Sequence, residues 1–599
     1  MEKSTIPARN EVPAEYTWRL EDMFPSDDAW MSEYESLKSM PEKVAAFKGH
    51  LGDSASSLLE FLRFEDDLKR RLIKLHGYAN HRADQDTSNS FYTDMLGKAI
   101  NIYVAISSAA AFEGPELMSI DEDLLSGFYL AEPELETYRR SLYLVRRTKE
   151  HMLSEPEEAI LAAAGEVTRA PDDIAGKLRN ADMRFPDAAD SKGELHTLTA
   201  GTYVQLLQSS DRLLRENAYT ACYSHFGDVK NTIAATLDAQ FKQLKFYSTV
   251  RKHPSTLSAS LFSTEVPVEV YTNLIDTVNA NMDKMYRYVS LRKKVLALDE
   301  LHMYDMYTPL VENDNSSITY DEAKDTVIKA LSVLGDDYIS ILKEGFSNRW
   351  IDVYENKGKR SGAYSSGTSD PHPFVLLNHK NDLDSMFTIA HEMGHAIHSY
   401  LSTKNQPFCN SDYVIFVAEV ASTCNEILLM RYLLSRAEDR RERAYLVNHF
   451  LEQFRATLFR QTMFAEFELE MGRMVEDGKS LTADALCDKY RELNSRYYGP
   501  DVTYDDYISL EWARIPHFFY DYYVYQYATG FSAAVAITNR ILSLGAPAVA
   551  DYKKFLSGGC STDPISLLKI AGVDMSTPDP INSALKLFDE LLDEMESLI

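Results

Sequence analysis

The pentapeptide His391-Glu392-Met393-Gly394-His395 is the feature that most limits what this chain can fold into. In an α-helix, residues four apart lie on one face, so both imidazoles can hold one metal ion while Glu392 reaches the water on that metal. Zinc accepts neutral nitrogen ligands of this kind and lowers the pKa of its bound water to about 7. The motif therefore predicts a zinc-dependent hydrolase. The alternative is a pair of solvated histidines on an amphipathic helix.

The residues around the motif favour a helix. Asp382 or Asp384 is placed to cap its first turn. Gly394 inside this helix costs roughly 1 kcal/mol relative to Ala, so we expect another backbone or a substrate to approach closely there. His391 and His395 lie on a stripe beside the apolar one. Apolar residues recur at helical spacing: Leu383, Met386, Phe387, Ala390, Met393, Ile397 and Leu401.

A third metal ligand has to come from elsewhere in the chain, because catalytic zinc usually takes three protein ligands and keeps a position for water. The metzincin continuation is missing, since His398 stands where that motif has Gly and Leu401 where it has His. A carboxylate from a later helix is the other common solution. Glu419 is the first Glu after His395, and we predict it as the third ligand.

The segment that contains Glu419 predicts a buried helix, capped by Ser411 or Asp412. One polar stripe runs along this otherwise apolar helix: Glu419, Ser422, Thr423 and Glu426. Buried carboxylates are costly unless they are paired or bound to a metal, so the stripe should face positive charge. We predict that Glu426 accepts a hydrogen bond from a ligand histidine and orients it. The alternative is that Glu426 pairs with Arg431 or Arg436.

Two stretches around these residues, HEMGHAIHSY and FVAEVASTCNE, resemble the zinc oligopeptidases of the thimet-oligopeptidase family, and more closely their bacterial oligoendopeptidase F branch. The resemblance implies a mainly α-helical, multi-lobed zincin-type metallopeptidase of the cytosol, with a deep channel for short peptides. The resemblance implies that His391, His395 and Glu419 bind zinc and that Glu392 is the general base. Further stretches similar to that branch run nearly end to end: 8–30, 362–367, 373–379, 515–531 and 567–575.

Length and helical pattern predict the domain organisation. A chain of 599 residues exceeds one hydrophobic core, so we expect at least two helical lobes. Pro, Gly and Asp break the helical periodicity near residue 200. We therefore predict an N-terminal helical lobe over 1–200 and a catalytic domain over 201–599, although the lobes of a channel enzyme need not follow sequence order.

Composition excludes several classes of protein. No apolar run approaches 18 residues, so we expect no ordinary transmembrane helix and no membrane partner. The first residues lack the apolar core of a signal peptide, which predicts a cytoplasmic protein. The five scattered cysteines are expected to be reduced thiols. A net charge of −29 argues against nucleic acid as a partner, and a solvated acidic surface explains it. The sequence leaves the oligomeric state open.

Two short strands are predicted just before the metal helix, over 362–366 and 374–378. An exposed strand edge there would pair with the backbone of a peptide, which makes Gly362, Ala363 and Tyr364 the candidate substrate-binding residues. Ordinary hairpin packing is the alternative. Amphipathic helices are predicted over most of the remaining chain: 54–79, 90–112, 211–246, 267–297, 320–334 and 441–476.

The C-terminal block 517–527 supplies candidates for stabilising the transition state. Attack of water on a peptide carbonyl creates an oxyanion, and one positioned donor contributes about 2.7–4 kcal/mol. If the block is helical, Tyr522 and Tyr525 share one face and Tyr523 and Tyr527 share another. The resemblance favours Tyr525 as the oxyanion donor and gives His517 a contact with substrate, with Tyr522 in reserve. We assign Tyr523 and Tyr527 to the core.

The predicted reaction is hydrolysis of internal peptide bonds in short oligopeptides, with one Zn²⁺ per chain. Glu392 takes the proton of the attacking water and passes it to the leaving amine. Two alternatives stay open: an exopeptidase that trims peptide ends from a similar channel, and a helical peptide-binding protein that has lost catalysis.

Overall fold

The structure, a computed structural model, describes residues 6–311, 317–367 and 370–599. The fold is mainly α-helical with small sheets, as predicted. The helices are α1 (Asp27–Leu37), α2 (Met40–Ala45), α3 (Ala55–Gln85), α4 (Ser90–Ala109), α5 (Glu113–Ser119), α6 (Glu122–Ala131), α7 (Arg139–Arg146), α8 (Glu155–Ala163), α9 (Gly165–Lys177), α10 (Tyr203–Leu207), α11 (Arg212–Val250), α12 (Thr256–Phe262), α13 (Val268–Asn279), α14 (Met282–Val295), α15 (Tyr320–Leu331), α16 (Asp336–Ser347), α17 (Leu383–Asn405), α18 (Ile415–Arg436), α19 (Arg440–Gln453), α20 (Arg460–Glu476), α21 (Ala483–Tyr498), α22 (Glu511–Arg514), α23 (Tyr525–Leu544), α24 (Ala546–Leu556), α25 (Pro564–Ile570) and α26 (Asp579–Leu598). The strands are β1 (Ala188–Ala189), β2 (Leu195–His196), β3 (Ile351–Asp352), β4 (Tyr364–Ser366) and β5 (Phe374–Leu376).

The chain divides into two compact units that interleave along the sequence. The first consists of Met1–Glu150, Asn315–Leu429 and Ile537–Gly572, and the second of His151–Asp314, Met430–Ala536 and Val573–Ile599. The division of the chain near residue 200 stays a prediction about domains. Every residue of the predicted metal site belongs to the first unit.

The long helix α3 organises the core of the first unit. It begins at an N-cap, where the Ser54 hydroxyl accepts a hydrogen bond from the Ser57 N–H. Its apolar face packs along α4, and the Trp30 indole donates to the Leu75 carbonyl. Phe374 of β5 lies in the same core. The sheet that precedes α17 in the chain is therefore packed on α3.

The sheet of the first unit has the strand order β3-β5-β4. β4 runs antiparallel to β5, with Ser365 opposite Val375, which confirms the predicted pair of strands. β3 is parallel to β5 and was missed by the sequence analysis, since it is only two residues long. β5 is wholly buried and therefore central, whereas β4 is an edge strand with one side free of strand partners among the described residues.

The helix α17 carries the metal motif. Its N-cap is Asp382, whose carboxylate accepts from the Ser385 N–H at 2.8 Å, as predicted. The predicted caps of α18 are wrong, because that helix begins only at Ile415. Ser411 instead uses its carbonyl to accept from the Ser402 hydroxyl, and the Asp412 carboxylate accepts from its neighbour's N–H.

Gly394 marks the point where α17 and α18 touch. A Cβ added at this glycine would lie 2.6 Å from the Ser422 Cα and 2.8 Å from the Ala421 carbonyl oxygen. No side chain fits at these distances. The close approach of a second backbone, expected from the sequence, thus accounts for a glycine in the middle of a helix.

The second unit is built around the 39-residue helix α11. The segment predicted as one helix over 267–297 is two helices, α13 and α14, because the chain breaks at Asn281. The segment predicted over 441–476 continues through a π-helical stretch, Phe454–Phe459, between α19 and α20. Phe454 packs on Phe531 and Phe588, with ring centroids 4.8 and 5.4 Å apart.

One segment of the described chain, Ser90–Ser119, is long and apolar enough to cross a membrane by length and composition alone. The sequence analysis expected no such segment, because it counted uninterrupted apolar runs and Asp94 and Lys98 interrupt this one. The segment comprises α4 and α5, and α4 buries Met95 and Ile102 in the core of the first unit. A single helix of this kind is weak evidence for a membrane span.

Candidate active site

Two helices of the first unit bring three potential metal ligands together. His391 and His395 come from α17, and Glu419 comes from the second turn of α18. The two Nε2 atoms lie 3.2 Å apart, and each lies 3.4 Å from the Glu419 Oε2. This is the triad expected from the sequence, and its three donor atoms face one point.

The donor set fits zinc. Two imidazole nitrogens and a carboxylate oxygen are a common zinc ligand set in hydrolases. With metal–ligand distances of about 2.0–2.1 Å, a tetrahedral ion separates its ligand atoms by about 3.3–3.4 Å, and the observed separations of 3.2–3.4 Å match this. Three protein ligands leave one tetrahedral position for water or substrate.

A carboxylate behind the triad fixes the orientation of His391. The Glu426 Oε1 lies 2.5 Å from the His391 Nδ1, on the side of the ring away from Glu419. This contact leaves Nε2 for the metal, which is the geometry that an orienting acceptor requires. In the protein without metal, burial lowers the pKa of His391, but the bond to Glu426 and the nearby carboxylates outweigh burial and raise the pKa to about 9.

The other two carboxyl groups of the site differ in their electrostatics. Burial raises the pKa of Glu419, but His395 and His391 overcome this and hold it at about 2. Burial also raises the pKa of Glu392, and the same histidines offset the effect only in part. Glu419 is therefore ionised at neutral pH, whereas the carboxylate of Glu392 is more basic than that of an exposed Glu.

These residues line one cavity of about 1100 Å³ within the first unit. Glu392 is only 7% exposed, and the space it reaches is this cavity. The opposite walls come from α3, α4, α5 and α7, and they include Phe61, Leu72 and Leu142. A space of this size accommodates several residues of an extended peptide.

The predicted substrate-binding strand borders the same cavity. Ala363 and Tyr364 line it, together with Ser365 and Gly367, which the sequence analysis did not single out. Gly362 lies beside the lining residues, and its carbonyl accepts from the Asn378 amide. Their role in substrate binding stays a prediction.

The tyrosine segment belongs to the second unit. Its helix, α23, begins only at Tyr525, so Tyr522 is not on a helix and does not share a helical face with Tyr525. Asp521 and Tyr522 both have positive φ, at 55° and 62°, a strained conformation for residues with side chains. This sharp turn was not predicted from the sequence, because the segment contains no glycine.

Burial separates the tyrosines of this segment into two groups. Tyr522 and Tyr525 are each 1% exposed and pack on Tyr271. The Tyr522 hydroxyl lies 2.7 Å from the Thr256 hydroxyl, and burial raises the pKa of both buried tyrosines. Tyr525 and Tyr522 stay predictions as oxyanion donors.

The less buried group surrounds His517. Its ring centroid lies 5.5 Å from that of Tyr520, 6.4 Å from that of Tyr523 and 6.1 Å from that of Tyr527. Tyr523 and Tyr527 were assigned to the core, but both are only partly buried. The helical face expected for this pair is not formed, because α23 begins at Tyr525 and Tyr523 precedes it, although the two rings lie 5.5 Å apart.

A second set of potential ligands lies at the β1–β2 turn: Asp190, Glu194 and His196. The Asp190 Oδ1 already accepts from two backbone N–H groups of the turn, and its Oδ2 lies 3.2 Å from the His196 Nε2. Hydrogen bonds within the turn account for this cluster.

Comparison with known proteins agrees with the fold and the site. Residues 205–587 match the family described as Peptidase family M3, and residues 116–185 match the family described as Oligopeptidase F. The chain belongs to peptidase family M3.

Several relatives match over nearly the whole chain. Oligopeptidase PepF of Bacillus subtilis is 49% identical, over 99% of this chain and 89% of the relative. Group B oligopeptidase PepB of Streptococcus agalactiae is 41% identical, over 99% and 98% of the two chains. The crystal structure of oligoendopeptidase-F from Enterococcus faecium has a TM-score of 0.76 and 36% identity, covering 96% of this chain and 99% of that one. The chain thus resembles oligopeptidases along its full length.

Proposed function

We propose that this protein is a zinc-dependent endopeptidase that hydrolyses internal bonds of short oligopeptides. The observation that carries the proposal is the triangle of donor atoms from His391, His395 and Glu419, in a peptide-sized cavity that Glu392 also lines. Family membership and the oligopeptidase relatives support peptide substrates. A cytoplasmic location remains part of the proposal.

Zinc, when held by the triad, would lower the pKa of a water molecule and polarise the scissile carbonyl. Glu392 accepts the proton of the attacking water and delivers it to the leaving amine. Its buried position favours this role, because burial makes its carboxylate more basic. Glu426 holds the His391 ring so that Nε2 faces the triad.

The test uses a peptide of about ten residues that is blocked at both ends, and mass spectrometry of its products with and without a zinc chelator. We expect internal cleavage that stops with chelator and returns with added zinc. Products trimmed only from an unblocked peptide would identify an exopeptidase instead. The absence of cleavage by zinc-loaded protein, with peptide still bound, would identify a non-catalytic binding protein.

Glu392→Gln separates catalysis from metal binding. The amide cannot accept the proton, so we expect zinc content to stay at the wild-type level while kcat falls by at least about 100-fold. Exposed Glu344 on α16 offers a matched control, and Glu344→Gln should leave both unchanged. Activity above a few per cent in Glu392→Gln would disprove the assignment of the general base.

The donor to the oxyanion is tested within the tyrosine segment. We propose Tyr525, with His517 contacting substrate, so Tyr525→Phe should lower kcat by about 100-fold and change KM little. Tyr522→Phe should instead lower thermal stability, since it loses the bond to Thr256. If Tyr525→Phe retains full kcat, the role passes to Tyr522 or His517, and a loss of kcat in Tyr522→Phe or His517→Ala identifies which.

A further inference from the structure

A pair of hydroxyl groups lies in the metal-bearing cavity and has no part in the mechanism above. The Ser399 Oγ and the Tyr413 Oη are 2.8 Å apart. Ser399 follows His395 by one turn of α17, and Tyr413 lies in the connection between α17 and α18. Both side chains line the cavity together with His391, His395 and Glu392.

The hydrogen-bonding capacity of this pair is not used up. Each hydroxyl carries one hydrogen to donate, and only one hydrogen is needed for the bond between them. Across residues 6–311, 317–367 and 370–599, the structure records no other hydrogen bond to either hydroxyl oxygen. One hydroxyl hydrogen is therefore left for an acceptor that enters the cavity.

The pair is held rigidly. The Tyr413 ring stacks on the ring of His398 with a centroid distance of 3.7 Å and an interplanar angle of 8°. His398 is fully buried and also contacts Phe555, so it provides a closely packed aromatic support for the tyrosine. A hydroxyl that is fixed before substrate arrives loses little entropy when it makes a hydrogen bond.

The edge strand β4 leads to the same point. A Cβ added at Gly367 would lie 2.6 Å from the Ser399 Oγ, so the backbone just after β4 passes directly beside the hydroxyl pair. A peptide that added a strand to β4 would run along this edge and present main-chain carbonyls at regular intervals.

We propose that the Ser399–Tyr413 pair donates a hydrogen bond to one main-chain carbonyl of the peptide substrate, at the Gly367 end of β4. The inference rests on the proposed peptidase function and adds a binding contact to it. Because every peptide has this carbonyl, the contact fixes the register of the substrate and is indifferent to its side chains. It acts on binding, away from the bond that is cleaved.

The first test is the variant Tyr413→Phe/Ser399→Ala, which removes both hydroxyls and keeps the ring stack on His398. We expect KM for a cleaved peptide to rise about 3- to 10-fold, the effect of one neutral hydrogen bond, with kcat changed less than twofold. The single variants identify which hydroxyl makes the contact. Tyr400→Phe, the adjacent position on α17 and outside the cavity lining, is the matched control and should behave as wild type.

The second test identifies the substrate carbonyl. A series of peptides carries a single thioamide at successive positions away from the scissile bond, because sulfur is a weaker acceptor than oxygen. In the wild type we expect the thioamide at one peptide position to raise KM. In the double variant the thioamide at that position should leave KM unchanged. An unchanged KM in the double variant, or a thioamide penalty that persists in it, would overturn the proposal.

Two controls keep the outcomes separate. Thermal unfolding and zinc content of each variant show whether the fold and the metal site are intact. If wild-type protein cleaves no peptide, the proposed function fails on its own, and calorimetric binding of the same thioamide series to Glu392→Gln still tests the contact. The proposal is supported if a thioamide at one peptide position weakens binding to Glu392→Gln and the same thioamide has no effect once Tyr413→Phe/Ser399→Ala is added. It is disproved if the thioamide weakens binding equally in both proteins.

Discussion

Two histidines two turns apart on α17 have opposite surroundings. His391 has the Glu426 carboxylate 2.5 Å from one ring nitrogen and the Glu419 carboxylate 3.4 Å from the other. His398 is fully buried, and within the part of the chain that the structure describes neither of its nitrogens has a hydrogen-bond partner. The carboxylates outweigh burial and raise the pKa of His391 to about 9, whereas burial lowers that of His398 to about 3.

The difference shows that the neighbouring helix determines what each histidine can do. α18 places Glu419 and Glu426, seven residues apart, against the ring of His391. His398 meets aromatic rings instead, from Tyr413 and Phe555. One helix thus carries histidines suited to a metal and a histidine suited only to packing.

Removing the carboxylate on the metal-ligand side of His391, that of Glu419, should have the largest effect on this contrast. Glu419→Gln keeps the shape of the side chain but loses its charge and its affinity for metal. We expect zinc per chain, measured by elemental analysis after dialysis, to fall with activity by more than about 100-fold. Wild-type zinc retention in Glu419→Gln would show that another group completes the ligand set.

The carboxylate behind His391 should have an intermediate effect. Glu426→Gln can still accept from the His391 Nδ1 but no longer stabilises it by charge, so we expect zinc affinity to fall about 10-fold, and further in Glu426→Ala. Competition with a chelator of known affinity measures both. Equal affinity in all three proteins would mean that Glu426 serves Arg431 or Arg436 instead.

The smallest effect on activity should come from His398→Phe, since an aromatic ring preserves the stack under Tyr413. Activity should stay within about twofold of wild type. Stability should differ with pH: buried neutral His398 resists protonation below its ordinary pKa of 6.5, so its contribution is complete above pH 6.5 and is lost as pH falls toward 3.

Urea unfolding of the metal-free proteins measures this loss. Between pH 7.5 and pH 5, the wild type should lose about 2 kcal/mol more unfolding free energy than His398→Phe. All other titrating groups are common to the two proteins, so the difference between their losses reports on His398 alone. Parallel losses would show that His398 is protonated in the folded state.

Residues held on helices were predictable from the sequence, and residues held by loops were not. His391, His395 and Glu392 follow from helical spacing alone, and Glu419 follows from the cost of a carboxylate on an apolar helix. The turn at Tyr522 was missed, because two positive φ angles arise from contacts distant in sequence.

The same limit applies to the fold. Local periodicity finds α3 and α17, but it cannot show that three separate segments of the chain form one compact unit. The hydroxyl pair was missed for the same reason, since Ser399 and Tyr413 meet only through the path of the connection between their helices. Contacts between elements are set by tertiary packing, which a single sequence does not display.

Gly394 is not a metal ligand, but the helix contact that it allows sets the size of the ion that the site can accept. With the backbones of α17 and α18 in contact, the gap between the Glu419 oxygen and the histidines is held at 3.4 Å, which suits a small cation. Gly394→Ala would act as a wedge and widen that gap. We expect it to shift the preference from Zn²⁺ toward the larger Cd²⁺, and unchanged relative retention of the two ions would show that the helices yield elsewhere.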